Sequence, residues 1–162
     1  MNIWIMRHGE ASFNATSDSQ RSLTPLGQQM AERQGRWLAE RLQAQQQILD
    51  KILVSPLLRT QQTLTYINKG MQAVNFSQNL SELVEIWQGI TPSGNPDNVK
   101  NYLTFLYETG YKNVLIISYL PLVYDLVLSI TCQQSHIHFY PAVIAEIAWQ
   151  SDFGTLVATQ KP

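Results

Sequence analysis

Apolar residues first gather at Ile3, Trp4, Ile5 and Met6, and the run stops at Arg7-His8-Gly9. A short continuous run closed by a glycine predicts a buried strand over residues 2–6. The polar stretch from Ser12 to Ser22 reads as a surface loop. Thr24 then offers an N-cap hydroxyl and Pro25 a first helical position. Leu26, Met30, Trp37, Leu38 and Leu42 follow at helical spacing, so a helix buries one face to about Gln45. Lys51 to Val54 predict a second strand, and a second helix opens at Ser55-Pro56 with Leu57, Gln61, Leu64 and Ile67 on one stripe.

Residues 70–96 carry Gly, Asn and Pro without a sustained period, which predicts a long loop with room for a short strand. Asp97 to Thr109 make a third helix through Val99, Tyr102, Leu103 and Leu106, stopped by Gly110. Val114 to Ser118 form the continuous apolar run of a strand buried on both faces. Pro121 to about Cys132 predict a fourth helix. Val143 to Trp149 and Thr155 to Ala158 flank Asp152-Phe153-Gly154 as a hairpin. Strands alternating with helices predict a three-layer α/β/α sandwich whose sheet is mainly parallel with an antiparallel edge. Without a linker or repeat, residues 1–162 form a single domain.

Composition narrows the function. Hydrophobic residues make up 44% of the chain and charged ones 14%, which supports a packed core and argues against disorder. The formal net charge of -1 provides no bulk attraction to nucleic acid or to an anionic membrane. No apolar run approaches a membrane span, and the short N-terminal run is too brief for a signal peptide, so a cytoplasmic protein is expected. Cys132 stands alone, which excludes a disulfide framework, and its apolar surroundings predict a small core residue. His136 and His138 would share a face of a strand, but neither carboxylate nor thiol accompanies them, so no metal site is expected.

Three chemically capable residues fall just after three strands: His8, Arg59 and Tyr119. Parallel sheets bind ligands at the carboxyl ends of their strands, so the three can converge on one crevice. An imidazole there can attack an electrophile, and arginine forks can clamp its anionic oxygens.

The motifs around these residues carry a family resemblance. Ser55-Pro-Leu-Leu-Arg59-Thr-Gln-Gln62-Thr63 matches S-P-x-x-R-x-x-Q-T, and Leu23-Thr24-x-x-Gly27 matches L-T-x-x-G. With Arg7-His8-Gly9 they resemble the histidine phosphatase superfamily. Ile117-Ser118-Tyr119-Leu120-Pro121-Leu122-Val123 and the stretch Ser17 to Thr24 are similar to its small SixA-type phosphohistidine phosphatases.

The resemblance implies that His8 is the phosphoryl acceptor and that Arg7, Arg59 and Arg21 bind phosphate. In Leu83-Val84-Glu85 it implies that Glu85, rather than Glu82, is the proton donor. One departure stands out: the family has a second catalytic histidine where this chain has Tyr119, a neutral donor in place of a titratable cation. The implied activity is hydrolysis of phosphohistidine on a signalling protein of the histidine phosphotransfer type, at reduced rate and without metal or cofactor. Two other readings stay open: a protein that binds phosphate or phosphohistidine without turnover, and a small-molecule phosphomonoesterase.

Overall fold

The computed structural model describes residues 1–91, 93–150 and 152–162. Among the described residues the chain forms β1 (Asn2–Arg7), α1 (Pro25–Ala44), β2 (Lys51–Val54), α2 (Leu58–Ala73), β3 (Val84–Ile86), α3 (Pro96–Thr109), β4 (Asn113–Ser118), α4 (Leu122–Ile130), β5 (Ile144–Gln150) and β6 (Phe153–Gln160). The sheet order is β3-β2-β4-β1-β5-β6. The first four strands in that order are parallel, and β5 and β6 add an antiparallel edge. No described helix is long and apolar enough to cross a membrane.

Alternation along the strands divides the core in two. Trp4, Met6, Ile52, Val54, Leu115 and Ile117 point to the face covered by α1 and α2. Ile3, Ile5, Leu53, Val114 and Ile116 point to the face covered by α3 and α4. Helices α1 and α2 approach backbone to backbone, since a Cβ on Gly35 would lie 2.1 Å from the Ile67 carbonyl oxygen. Buried Glu146 is held by two hydrogen bonds from Arg41, at 2.9 and 2.7 Å, and one from Trp4 Nε1 at 2.7 Å. A carboxylate inside a fold persists only with such partners.

Several boundaries differ from the pattern-based expectation. Thr24 caps α1 as expected, accepting from Gly27 N at 3.0 Å, but Leu26 is exposed and small residues such as Ala31 and Gly35 make the contact face. Helix α2 opens at Leu58 rather than Ser55, because Ser55 N still pairs with the Ile117 carbonyl and prolongs the strand. Helix α4 ends at Ile130; Cys132 and Gln133 follow with positive φ, and Cys132 is exposed rather than a core residue. Phe153 and Gly154 belong to β6, not to the turn. His136 and His138 are exposed, outside any strand, with ring centroids 6.1 Å apart. Pro92, one of the breakers in 70–96, lies outside the described residues.

Candidate active site

Register brings the chemistry together. Arg7 pairs with Ser118 and Val54 with Ile117, so β1, β4 and β2 end side by side and release His8, Tyr119 and Ser55 at one edge. His8 N donates to the Ser118 carbonyl at 2.9 Å, and the His8 carbonyl accepts from Ala142 N at 3.0 Å. The motif glycine serves packing. A Cβ on Gly9 would stand 2.6 Å from the Gly27 carbonyl oxygen, so only glycine lets the strand end sit against the start of α1. Thr63 Oγ1 accepts from Gly9 N at 3.1 Å and Gln62 Oε1 from Leu23 N at 2.8 Å, which explains the Gln-Thr pair closing the second motif.

The tautomer of His8 follows from its neighbours. Nδ1 lies 2.7 Å from the Gly9 carbonyl, which can only accept, so Nδ1 carries the proton. Nε2 keeps its lone pair and accepts from Arg59 Nε at 3.3 Å. Burial pushes the His8 pKa down to about 4; its hydrogen bond to Gly9 opposes this, and Arg59, Arg7 and Arg21 lower it further. The imidazole is therefore neutral near pH 7, with a potentially nucleophilic lone pair on Nε2.

Three arginines surround it. Arg59 is almost fully buried at 3% exposure. Arg7 donates through Nη1 to the Phe139 carbonyl at 2.8 Å, while its buried Nε has no partner. Burial, then repulsion from Arg21 and Arg59, lowers the Arg7 pKa. Arg21 donates to the Ser12 carbonyl at 2.9 Å and stacks on exposed Phe13, its guanidinium 4.2 Å from the ring centroid. Tyr119 lies with its ring centroid 6.0 Å from the Arg59 guanidinium carbon. Its buried hydroxyl also lacks a partner. Burial raises the Tyr119 pKa against the pull of Arg59, so the phenol remains a neutral donor. Orphaned buried donors are rare; among the described residues they are these two and Trp149 Nε1.

Glu85 does not join this group. In β3 it pairs with Leu53, and its carboxylate reaches back to Lys51 at 2.8 Å and to the Tyr102 hydroxyl at 2.5 Å. Burial pushes its pKa up, but the hydrogen bonds from Lys51 and Tyr102 outweigh that and hold it below the usual value. Among the described residues no hydrogen bond or ion pair links Glu85 to His8 or to the arginines around it. Glu82 is exposed.

Asp18 does join, although sequence reasoning assigned it no role. It receives both Arg59 and Arg21. Slight burial raises its pKa, but the two arginines more than offset this and depress it. The available signal was its place three residues before Arg21 in a motif already singled out. No three described His, Cys, Asp or Glu residues stand close enough to share a metal ion.

The strand ends thus gather a neutral imidazole with a lone pair on Nε2, three guanidiniums and a phenol, a group able to bind an anion beside a nucleophilic nitrogen. The sequence carries the matching family signature: residues 3–109 fit the model of the histidine phosphatase superfamily (branch 1), and the chain belongs to that family. It is 42% identical over 161 residues to a phosphohistidine phosphatase SixA homolog of Haemophilus influenzae, covering 99% of this chain and 95% of that protein. It is 35% identical to phosphohistidine phosphatase SixA of Escherichia coli over 147 residues, 91% of this chain and 84% of that one. The solved structure of the protein histidine phosphatase SixA complexed with tungstate matches with a TM-score of 0.86 at 33% identity, covering 99% and 97% of the two chains.

Proposed function

We propose that this chain hydrolyses phosphohistidine on a protein by way of a phosphorylated His8. The observation that carries the reading is the state of His8, with Nδ1–H tied to Gly9 and an unprotonated Nε2 that only a long hydrogen bond from Arg59 occupies. The Nε2 lone pair forms a bond to phosphorus while the bond from phosphorus to the substrate nitrogen breaks, and the substrate ring takes the electron pair. That ring leaves as neutral imidazole when its other nitrogen carries a proton, so a weak proton donor suffices. His8 becomes a phospho-imidazolium whose Nδ1–H bond to Gly9 strengthens with the charge. Water then attacks phosphorus, the P–Nε2 bond breaks, and inorganic phosphate and neutral His8 return. Arg7, Arg21, Arg59 and Tyr119 stabilise the phosphoryl oxygens throughout, as electrostatic catalysis requires.

A polypeptide substrate suits the surroundings. A cavity of about 310 Å³ adjoins Arg7 and is lined by Leu120, Tyr124, His138, Phe139 and Tyr140. Leu120 and Tyr140 are exposed at its rim, an open aromatic surface fitted to a protein rather than an enclosed metabolite pocket. The relatives are named phosphohistidine phosphatases, which supports a phosphohistidine substrate; we propose that a signalling protein of the histidine phosphotransfer type, in the cytoplasm, carries it.

Rapid quenching of the reaction at alkaline pH should trap an acid-labile phosphoenzyme that His8→Ala cannot form. Undiminished turnover by His8→Ala would sink the covalent route. One observation favours a second reading: Tyr119 brings no positive charge to the transition state. Phosphate binding by the unaltered chain without turnover would make it a phosphohistidine-binding protein instead.

A further inference from the structure

Arg59 is gripped twice by a residue that has no part in the displacement described above. Its Nη1–H donates to the Asp18 backbone carbonyl at 2.8 Å, and Nη2–H donates to Asp18 Oδ2 at 3.3 Å. The other carboxylate oxygen, Oδ1, lies 3.4 Å from Arg21 Nη1. One carboxylate thus bridges two of the three guanidiniums around His8, and it meets each through an anionic oxygen, as a phosphoryl group does. The two ends differ in freedom. The Asp18 side chain is 60% exposed on a short 3-10 turn, whereas that of Arg59 is 4% exposed. The carboxylate can swing into solvent and the guanidinium cannot.

We propose that Asp18 is a displaceable stand-in for the phosphoryl group, a specificity residue that holds Arg59 and Arg21 in the empty site and yields them to substrate. This rests on the reading of the pocket as a phosphoryl site. Being part of the chain, the carboxylate competes at a high effective concentration. A carboxylate or other monoanion offers the arginines no more charge than Asp18 already does, so it gains little by entering. A phosphoryl dianion engages Arg7, Arg21 and Arg59 together and displaces it. After hydrolysis the same competition weakens the hold on inorganic phosphate and so speeds its release.

A rival role, in which the carboxylate braces Arg59 toward His8, predicts the opposite sign. Another contact of Arg59 makes such a brace redundant: the Asp18 backbone carbonyl holds Nη1 whatever side chain stands at position 18.

Titrating inorganic phosphate into the full chain by calorimetry separates the two roles. Asp18→Asn keeps the shape and Asp18→Ala removes the group; exposure on a surface turn makes both compatible with folding. Both variants should bind phosphate more tightly, by roughly three- to thirtyfold, the range expected for releasing two partly solvated ion pairs. Phosphate should become a stronger product inhibitor by the same factor. Unchanged affinity overturns the proposal. Weaker binding in both variants, recovered in Asp18→Glu, overturns it in favour of the brace. If the unaltered chain and both variants all fail to bind phosphate, the phosphoryl-pocket reading itself is wrong and the proposal falls with it.

Discussion

Replacing Tyr119 with phenylalanine should move stability and ligand affinity in opposite directions. The hydroxyl is buried without a hydrogen-bond partner, and leaving such a group unsatisfied costs about 1–3 kcal/mol. Tyr119→Phe removes that cost while keeping the ring packed at 7% exposure, so the phosphate-free protein should become more stable by about 1–2 kcal/mol. For a chain of this length that corresponds to a rise in Tm of roughly 2–8 °C. With phosphate present the hydroxyl donates to a charged oxygen, a bond worth about 1.5–3 kcal/mol. The variant should therefore bind phosphate about ten- to a hundredfold more weakly and gain less Tm from added phosphate. Thermal unfolding with and without phosphate, together with calorimetry, reads both effects on one preparation. A variant that loses stability without phosphate and binds it unchanged would refute the reasoning, since the hydroxyl would then serve the fold. Tyr119→His adds a titratable donor to the same place and should raise turnover by roughly ten- to a thousandfold, whereas Tyr119→Phe should lower any residual rate.

His8 should titrate at about pH 4 in the free protein instead of 6.5, so kcat/KM should hold as pH falls through 6 and be lost only near 4; an imidazole titrating near 6.5 by NMR contradicts this. The unfolded chain takes up that proton first as pH falls, so His8 lowers folding stability between pH 6.5 and about 4 by roughly 3 kcal/mol, a slope that denaturant unfolding should find reduced in His8→Gln. Glu85→Gln weakens a partly exposed ion pair with Lys51 and should cost about 1 kcal/mol or less while turnover stays within about twofold; a hundredfold loss of kcat would return Glu85 to the chemistry. Tyr140→Ser, at the exposed rim of the cavity beside Arg7, should raise KM for a phosphohistidine protein by about three- to tenfold and leave phosphoramidate hydrolysis unaltered. Equal effects on both substrates would count against a docking role.

Most of the sheet was legible in the chain because the parallel strands β1, β2 and β4 are largely buried on both faces and read as continuous apolar runs, whereas the short, half-exposed β3 left only a weak signal within 70–96. Val114 to Ile117 could be little else. The same local logic placed His8, Arg59 and Tyr119 after strand ends, and a parallel sheet gathers its strand ends at one edge. Local pattern could not decide contacts that depend on register and on the approach of distant segments. Glu85 occupies its expected motif, yet in the fold its carboxylate meets Lys51 and Tyr102, contacts that no local pattern announced. Asp18 looked like an ordinary loop residue until the turn at 18–20 folded across the start of α2 and brought it to Arg59. Cys132 seemed a core residue from its apolar neighbours, but helix α4 ends two residues earlier and leaves it exposed. Sequence by itself determined which residues could do phosphoryl chemistry and which strands would carry them, because hydrophobic periodicity and side-chain type are local properties. Only the tertiary structure decided which carboxylate faces the arginines, because charge pairing across a site is set by where the chain returns in space.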